Sequence, residues 1–143
     1  MATYEADDRP ERLDIDAIWA FLSTEAYWHR WRTREDVESQ IESAWRVVGI
    51  YVKETGEQVA FARTISDGIS DAYLADVYVH AEHRGLGLGK QLMSVMVDKG
   101  PGSRMRWFLT TRDAHGLYEQ FGFAKPDERM MVRPSTLVNE PRT

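Results

Sequence analysis

The chain of 143 residues contains no cysteine. Disulfides, thiolate metal sites and a cysteine nucleophile are thereby excluded, and with the last goes any thiol acyl-enzyme. Basic charge is not in excess either: 18 Lys and Arg stand against 23 Asp and Glu, a formal net charge of −5. That balance argues against non-specific nucleic-acid binding, which wants a basic surface. No apolar run approaches the ~20 residues that span a bilayer. The opening "MATYEADDRPERLD" is too charged for a signal peptide. A soluble, cytoplasmic protein with neither nucleic-acid nor membrane partner is expected. Repeats and low-complexity segments are missing too, so residues 1–143 read as one domain. The 43% hydrophobic content suits an ordinary globular core.

The periodicity is mixed. In "DIDAIWAFLSTEAYWHRW", Ile15, Ile18, Trp19 and Leu22 share a helical face and Asp14 is placed to cap it. "TREDVESQIESAW" repeats the pattern with Thr33 as cap and Val37, Ile41 and Ala44 on one side. Then β-rich runs begin: "WRVVGIYVK" and "QVAFARTI" joined by the turn "ETGE", and "AYLADVYV" after a second turn. A helix is predicted from about Leu88 to Asp98 with Leu88, Leu92, Val95 and Met96 inward, ended by "KGPGS". "RMRWFLTT" reads as a strand, "DAHGLYEQF" as a short helix, "ERMMVR" as a last strand, and the tail from Pro134 as loose. Together these make an α/β (α+β) domain.

Between the third strand and that helix lies "EHRGLGLGKQLM", with Gly85, Gly87 and Gly89 at alternate positions between Arg84 and Lys90. A Walker A loop needs glycine where Arg84 stands and Ser or Thr where Gln91 stands. A dinucleotide fingerprint needs glycine at Lys90. What remains is a strand, a short R-G-x-G-x-G loop and a helix. Glycines let the backbone close on a ligand, and the unpaired N–H groups of the first helical turn favour an anion.

With these residues the chain resembles the GNAT superfamily of acyl-CoA-dependent N-acyltransferases. "VYVHAEHRGLGLGKQLM" is similar to that family's strand, (Q/R)-x-x-G-x-G/A loop and helix. "TTRDAHGLYEQFGF" is similar to its A-x-x-LYE-x-x-GF block through Ala114, Leu117, Tyr118, Glu119, Gly122 and Phe123. A group of short bacterial-type members resembles it further through Tyr27-Trp28, Phe61-Ala62-Arg63 with Asp67, and Thr111 to Tyr118. The resemblance implies a mixed central sheet of about six to seven strands with about four helices, and a splayed strand pair at the acetyl-CoA site. It implies acceptor-side helices in 1–45, an acetyl-CoA-binding core in 46–133 and a tail in 134–143.

The implied chemistry is attack of an amine, of a small molecule or peptide, on the thioester of acetyl-CoA in a ternary complex. His83 to Lys90 would wrap the pyrophosphate, with Arg84, Gly85, Leu86, Gly87, Leu88, Gly89 and Lys90 in contact. Val77, Tyr78 and Val79 would meet the pantetheine arm, the Val77 N–H polarising the thioester carbonyl. Tyr118 matches the general acid; its reference pKa of about 10 keeps it protonated at neutral pH. Thr111, Asp113 and His115 lie where further cofactor contacts are expected, although the family's asparagine is absent there.

The base is the weak point. Ala75 stands where many relatives carry glutamate, and Asp76 beside it is the candidate proton acceptor, turned to the other face unless a bulge intervenes. Asp71, Tyr73 or His29 acting through water are alternatives. Tyr27, Trp28, His29 and Tyr73 are the candidate acceptor residues, and Arg30, Arg32 and Arg34 read either as a solvated face or as an attraction for an acidic acceptor. His80 and His83 have ligand spacing but no further ligand nearby, so no metal is expected. An acyl-CoA sensor without turnover, motivated by Ala75, and transfer of a longer acyl group or to a hydroxyl remain as rival readings. The acceptor's identity and a homodimer stay open.

Overall fold

The computed structural model describes residues 1–141. Five strands form one sheet in the order β1-β2-β3-β4-β5. They are β1 (Tyr4–Asp7), β2 (Arg46–Val52), β3 (Gln58–Ser66), β4 (Asp71–Val79) and β5 (Arg106–Phe108). Neighbours are antiparallel except β4 and β5, which run parallel. Helices α1 (Ile15–Thr24) and α2 (Arg34–Ser43) precede β2; α3 (Leu88–Met93) follows β4, and α4 (His115–Glu119) follows β5.

Both N-terminal helices begin where their capping residues stand. Asp14 accepts from the Ala17 N–H. Thr33 and Asp36 form a reciprocal capping box that satisfies two otherwise orphaned donors. Strand alternation sorts the sheet into two cores. Val47, Phe61 and Tyr78 meet Ile18, Phe21, Leu22, Val37 and Ile41 of α1 and α2. Val48, Ile50, Ala60, Ala62 and Leu74 meet Leu88, Leu92, Met93 and Met96 on the other side.

Three expectations need correction. Among the described residues the sheet has five strands, not six or seven; "ERMMVR" at 128–133 forms no strand, and Met131 and Val132 stand exposed. A strand was missed at Tyr4–Asp7, whose alternation is too short and too acidic to stand out; it pairs with Gly49–Val52. Met93 and Val97 join Leu88, Leu92 and Met96 inside, while Val95 is only partly buried. The helix continues from Ser94 to Asp98 as a π turn, which shifts the inward face. Arg46 of β2 covers its freed carbonyls, donating to Val95 O at 2.8 Å and Met96 O at 3.0 Å.

Two irregularities in β4 matter beyond the sheet itself. Its parallel pairing with β5 covers only Asp71 to Tyr73, so from Leu74 onward that edge has no strand beside it. On the other edge the register slips: Phe61 pairs with Tyr78 but Arg63 with Ala75, leaving Ala62 opposite both Asp76 and Val77. This is a β-bulge, and Asp76 adopts a φ of 54°, a left-handed backbone uncommon outside glycine. The bulge turns the Asp76 side chain to the α1–α2 side, where Arg63 also points. Its carboxylate receives Arg32 through both Nη atoms at 2.8 and 2.9 Å, and Arg63 Nε at 2.7 Å. The Trp28 indole donates to it as well, at 2.6 Å. All three charged side chains are buried. Burial by itself would raise the Asp76 pKa, but the two guanidinium groups outweigh it and hold the carboxyl at about 2.

Urea unfolding should register this cluster in two ways. Asp76→Asn leaves two guanidinium groups buried without their anion and costs about 3–5 kcal/mol; a loss within error would remove the cluster from the stabilising framework. Because the folded pKa lies below the unfolded one, the carboxylate's stabilisation is present above pH ~4 and is lost as pH falls toward ~2. That acid limb is expected to flatten in Asp76→Asn. Leu92, fully buried beneath α3, should cost about 2–5 kcal/mol when cut to alanine.

Candidate active site

Beyond Tyr73 the unpaired edge of β4 opens into a cleft of about 570 Å³. Val77 and Val79 line its floor, the glycine loop one end, Tyr118 and Leu117 of α4 one wall, and Phe21, Glu25, Tyr27 and Trp28 the other.

The three glycines do two different jobs. Gly85 and Gly87 have φ of 78° and 79° with open space where a Cβ would stand. These positions need glycine for backbone conformation, and the room above them is available to a ligand. Gly89 has no such φ; a Cβ there would come within 3.3 Å of Leu117 Cδ2. It lets α3 lie close to α4. The first intrahelical bond runs from Gln91 N to Gly87 O, so the N–H groups of Leu88, Gly89 and Lys90 have no acceptor within the helix. Arg84 donates through Nε to Val79 O at 2.9 Å, tying the loop to the end of β4 while it lines the cleft. Open donors, left-handed glycines and a guanidinium at one mouth fit a pyrophosphate-bearing group such as coenzyme A.

On the α4 wall Tyr118 is buried among the residues of the α3 core and packs edge-on against Phe123. Its hydroxyl makes no hydrogen bond among the described residues. Burial, with Tyr27 and Asp113 adding to it, pushes the phenol up to about 12. The group is therefore fully protonated near neutrality and available as a donor.

The wall opposite is held from across the cleft. Tyr27 Oη accepts from the Arg112 N–H at 3.0 Å, and the Arg112 guanidinium lies 3.8 Å over the Tyr27 ring. Trp28 presents its ring to the cleft and its N–H to Asp76. The tail expected to be loose is pinned here instead: Asn139 accepts from Arg30 N and donates to Tyr27 O, both at 2.8 Å.

Of the expected site residues, Val77, Tyr78, Val79, Arg84, Gly85, Gly87, Leu88, Gly89, Asp113, Tyr118, Tyr27 and Trp28 line this cleft. Leu86 and Lys90 lie on the exposed outside of the loop. Thr111 instead steadies the turn that leads into α4, its hydroxyl accepting from Ala114 N at 3.1 Å. His115 is exposed at the start of α4. Tyr73 sits outside on the sheet, hydrogen-bonded to Thr110, and His29 faces a separate hollow. Asp76 does not line the cleft. Its oxygens are engaged by four N–H donors from three residues and its conjugate acid is strong, which makes it a poor proton acceptor. Glu25 and Phe21 line the cleft without having been singled out, and His83, expected in the pyrophosphate loop, and Arg112 line it too. For Glu25 the signal was available: it directly follows the last turn of α1 and stands two residues before Tyr27-Trp28.

Comparison with known proteins agrees with this geometry. Residues 46–125, more than half of the chain, match the acetyltransferase (GNAT) domain family. A candidate acetyltransferase of Gibberella zeae is 31% identical over 106 residues, 72% of this chain; the chain spans only 58% of that relative's length. The crystal structure of a candidate GNAT-family acetyltransferase of Xanthomonas campestris pv. campestris is 38% identical with a TM-score of 0.83, covering 94% of this chain and 95% of that one. An assigned acetyltransferase of Clostridium acetobutylicum, determined with acetyl-CoA, shares the fold at 14% identity and a TM-score of 0.62, over 93% and 96% of the two chains. The chain belongs to the GNAT acetyltransferase family.

Proposed function

We propose that the protein transfers an acetyl group from acetyl-CoA to an amine of a small molecule or peptide, by direct attack in a ternary complex. The observation that carries this reading is one cleft lined both by the glycine loop with its open backbone N–H groups and by a protonated, buried tyrosine. Acetyl-CoA supplies the activated acyl group. The N–H groups of Gly85 to Lys90 and the Arg84 guanidinium hold its pyrophosphate, and the free edge of β4 at Val77–Val79 receives the pantetheine arm.

Within this arrangement the chain's residues divide the proton work. Glu25, exposed at the cleft wall and free of side-chain partners, takes a proton from the attacking amine, directly or through water. The Val77 N–H, on the bulge, steadies the negative charge that builds on the carbonyl oxygen. As the new C–N bond forms and the C–S bond breaks, Tyr118 gives its proton to the departing sulfur. Solvent then returns a proton to Tyr118 and removes the one on Glu25. Because its pKa lies near 12, Tyr118 regains its proton readily and leaves no mark on a rate profile below pH ~10.

The rival sensor reading rests on Ala75, and turnover separates the two. Acetyl-CoA should raise the melting temperature, and free thiol should appear with at least one member of an amine panel. No protection by acetyl-CoA overturns the transferase reading; protection without any turnover favours the sensor. Tyr118→Phe is expected to lower kcat about 10²-fold with the KM for acetyl-CoA nearly unchanged. Glu25→Gln should lower kcat by roughly 10–10²-fold; an unaltered kcat would transfer the base role to water alone.

A further inference from the structure

A second hollow, about 300 Å³, lies on the far side of the Trp28–Asp76–Arg32 cluster. Its lining includes Trp19 and Leu22 of α1, His29 and Arg30 of the following loop, and Arg32 and Arg34. The three arginines are in different states. Arg32 is fully used, by Asp76, Gln40 Oε1 and the His29 carbonyl. Arg34 is paired with Asp16 at 2.6 Å and with Glu38 at 2.9 Å. Arg30 has no acidic partner among the described residues, and its Nε–H is buried with no acceptor. Its Nη groups are not shut off in this way and make no hydrogen bond among the described residues, so an acceptor in the hollow can reach them. Arg30 is also held in position, since its backbone N–H is fixed by Asn139.

We infer that this hollow is an anion subsite for the acceptor, taking a carboxylate on Arg30 while an apolar body rests on Trp19 and Leu22. Three observations converge on that chemistry. The unsatisfied group is a guanidinium, whose donors match a carboxylate. The opposite wall is an aromatic ring and a leucine, which suits a hydrocarbon portion rather than a hydrated inorganic ion. The hollow and the acetyl-transfer cleft are lined by consecutive residues of one loop: Tyr27 and Trp28 line the cleft, and the next two residues, His29 and Arg30, line the hollow. His29, whose pKa is lowered by partial burial and by Arg32, adds no second cation at neutral pH. The preferred acceptors are thus amines that also carry a carboxylate. The acceptor role rests on the transferase reading; the anion site itself does not.

The test compares phenylacetate with its neutral counterpart phenylacetamide, by calorimetric titration into the full chain. A charge-assisted pair of this kind is worth about tenfold in affinity, and phenylacetate should bind tighter by that factor in the wild type. The preference should vanish in Arg30→Gln and return in part in Arg30→Lys, while protection of the fold by acetyl-CoA stays unchanged in both. Phenylacetate should inhibit acetyl transfer competitively against the amine and not against acetyl-CoA. Equal binding of the two probes overturns the anion site without reference to any variant. A preference that survives in Arg30→Gln places the anion elsewhere and overturns the assignment. Tight binding without competition against the amine overturns the acceptor role. Absence of protection by acetyl-CoA in the wild type would sink the transferase reading while the probe comparison still decides the site.

Discussion

The structure turns on one buried ion cluster. Asp76, two arginines and a tryptophan meet where β4 slips its register, and the partners come from separate parts of the chain. Arg63 belongs to the neighbouring strand, whereas Arg32 and Trp28 belong to the loop between α1 and α2. A left-handed aspartate in mid-strand is strained by itself, and it persists because three donor residues over-determine its position. The same bonds therefore hold the bulge that aims the Val77 backbone and the loop that forms the opposite wall. Distance between floor and wall is set by charge pairing in a place with little water, where small displacements are expensive.

Around that anchor the cleft is made by things left out of regular structure. Parallel pairing of β4 and β5 stops after three residues, and the gap becomes the floor. Two glycines leave space above the first turn of α3, and a third removes the side chain that would hold α3 off α4. Tyr118 is presented from α4 because that close approach is possible. The glycine loop and Tyr118 are thus linked through Gly89 and Leu117 as well as through the cleft they line.

The parts legible in the sequence were those with local rules. Asp14 and Thr33 announce their helices by capping chemistry, and the glycine spacing together with the Leu117-Tyr118-Glu119 block announces the cofactor side. Sequence reasoning was weakest where function depends on contacts between distant residues. That Asp76 is an ion-pair anchor and not a base is decided by Arg32 and Arg63, which lie 44 and 13 residues away. The π turn after Met93 left no pattern that a 3.6-residue period would catch, and its support by Arg46 is a tertiary effect. "ERMMVR" has strand-forming residues but no neighbour in the sheet, so propensity alone misled. The three arginines after Trp28 looked alike as residues and differ only in what surrounds them.

The clasp made by Asn139 bears on the order in which the molecule assembles. Its two bonds close loops of 109 and 112 residues, among the longest the chain can form. Contacts of such separation gain nothing until both ends are already in place, and the entropy of closing them is lost first. The hairpins of the sheet and the α3 packing, all nearer neighbours, can be complete before then. The pinning of Tyr27 and Arg30 by Asn139 is consequently expected to come late, after the sheet and the α3 packing.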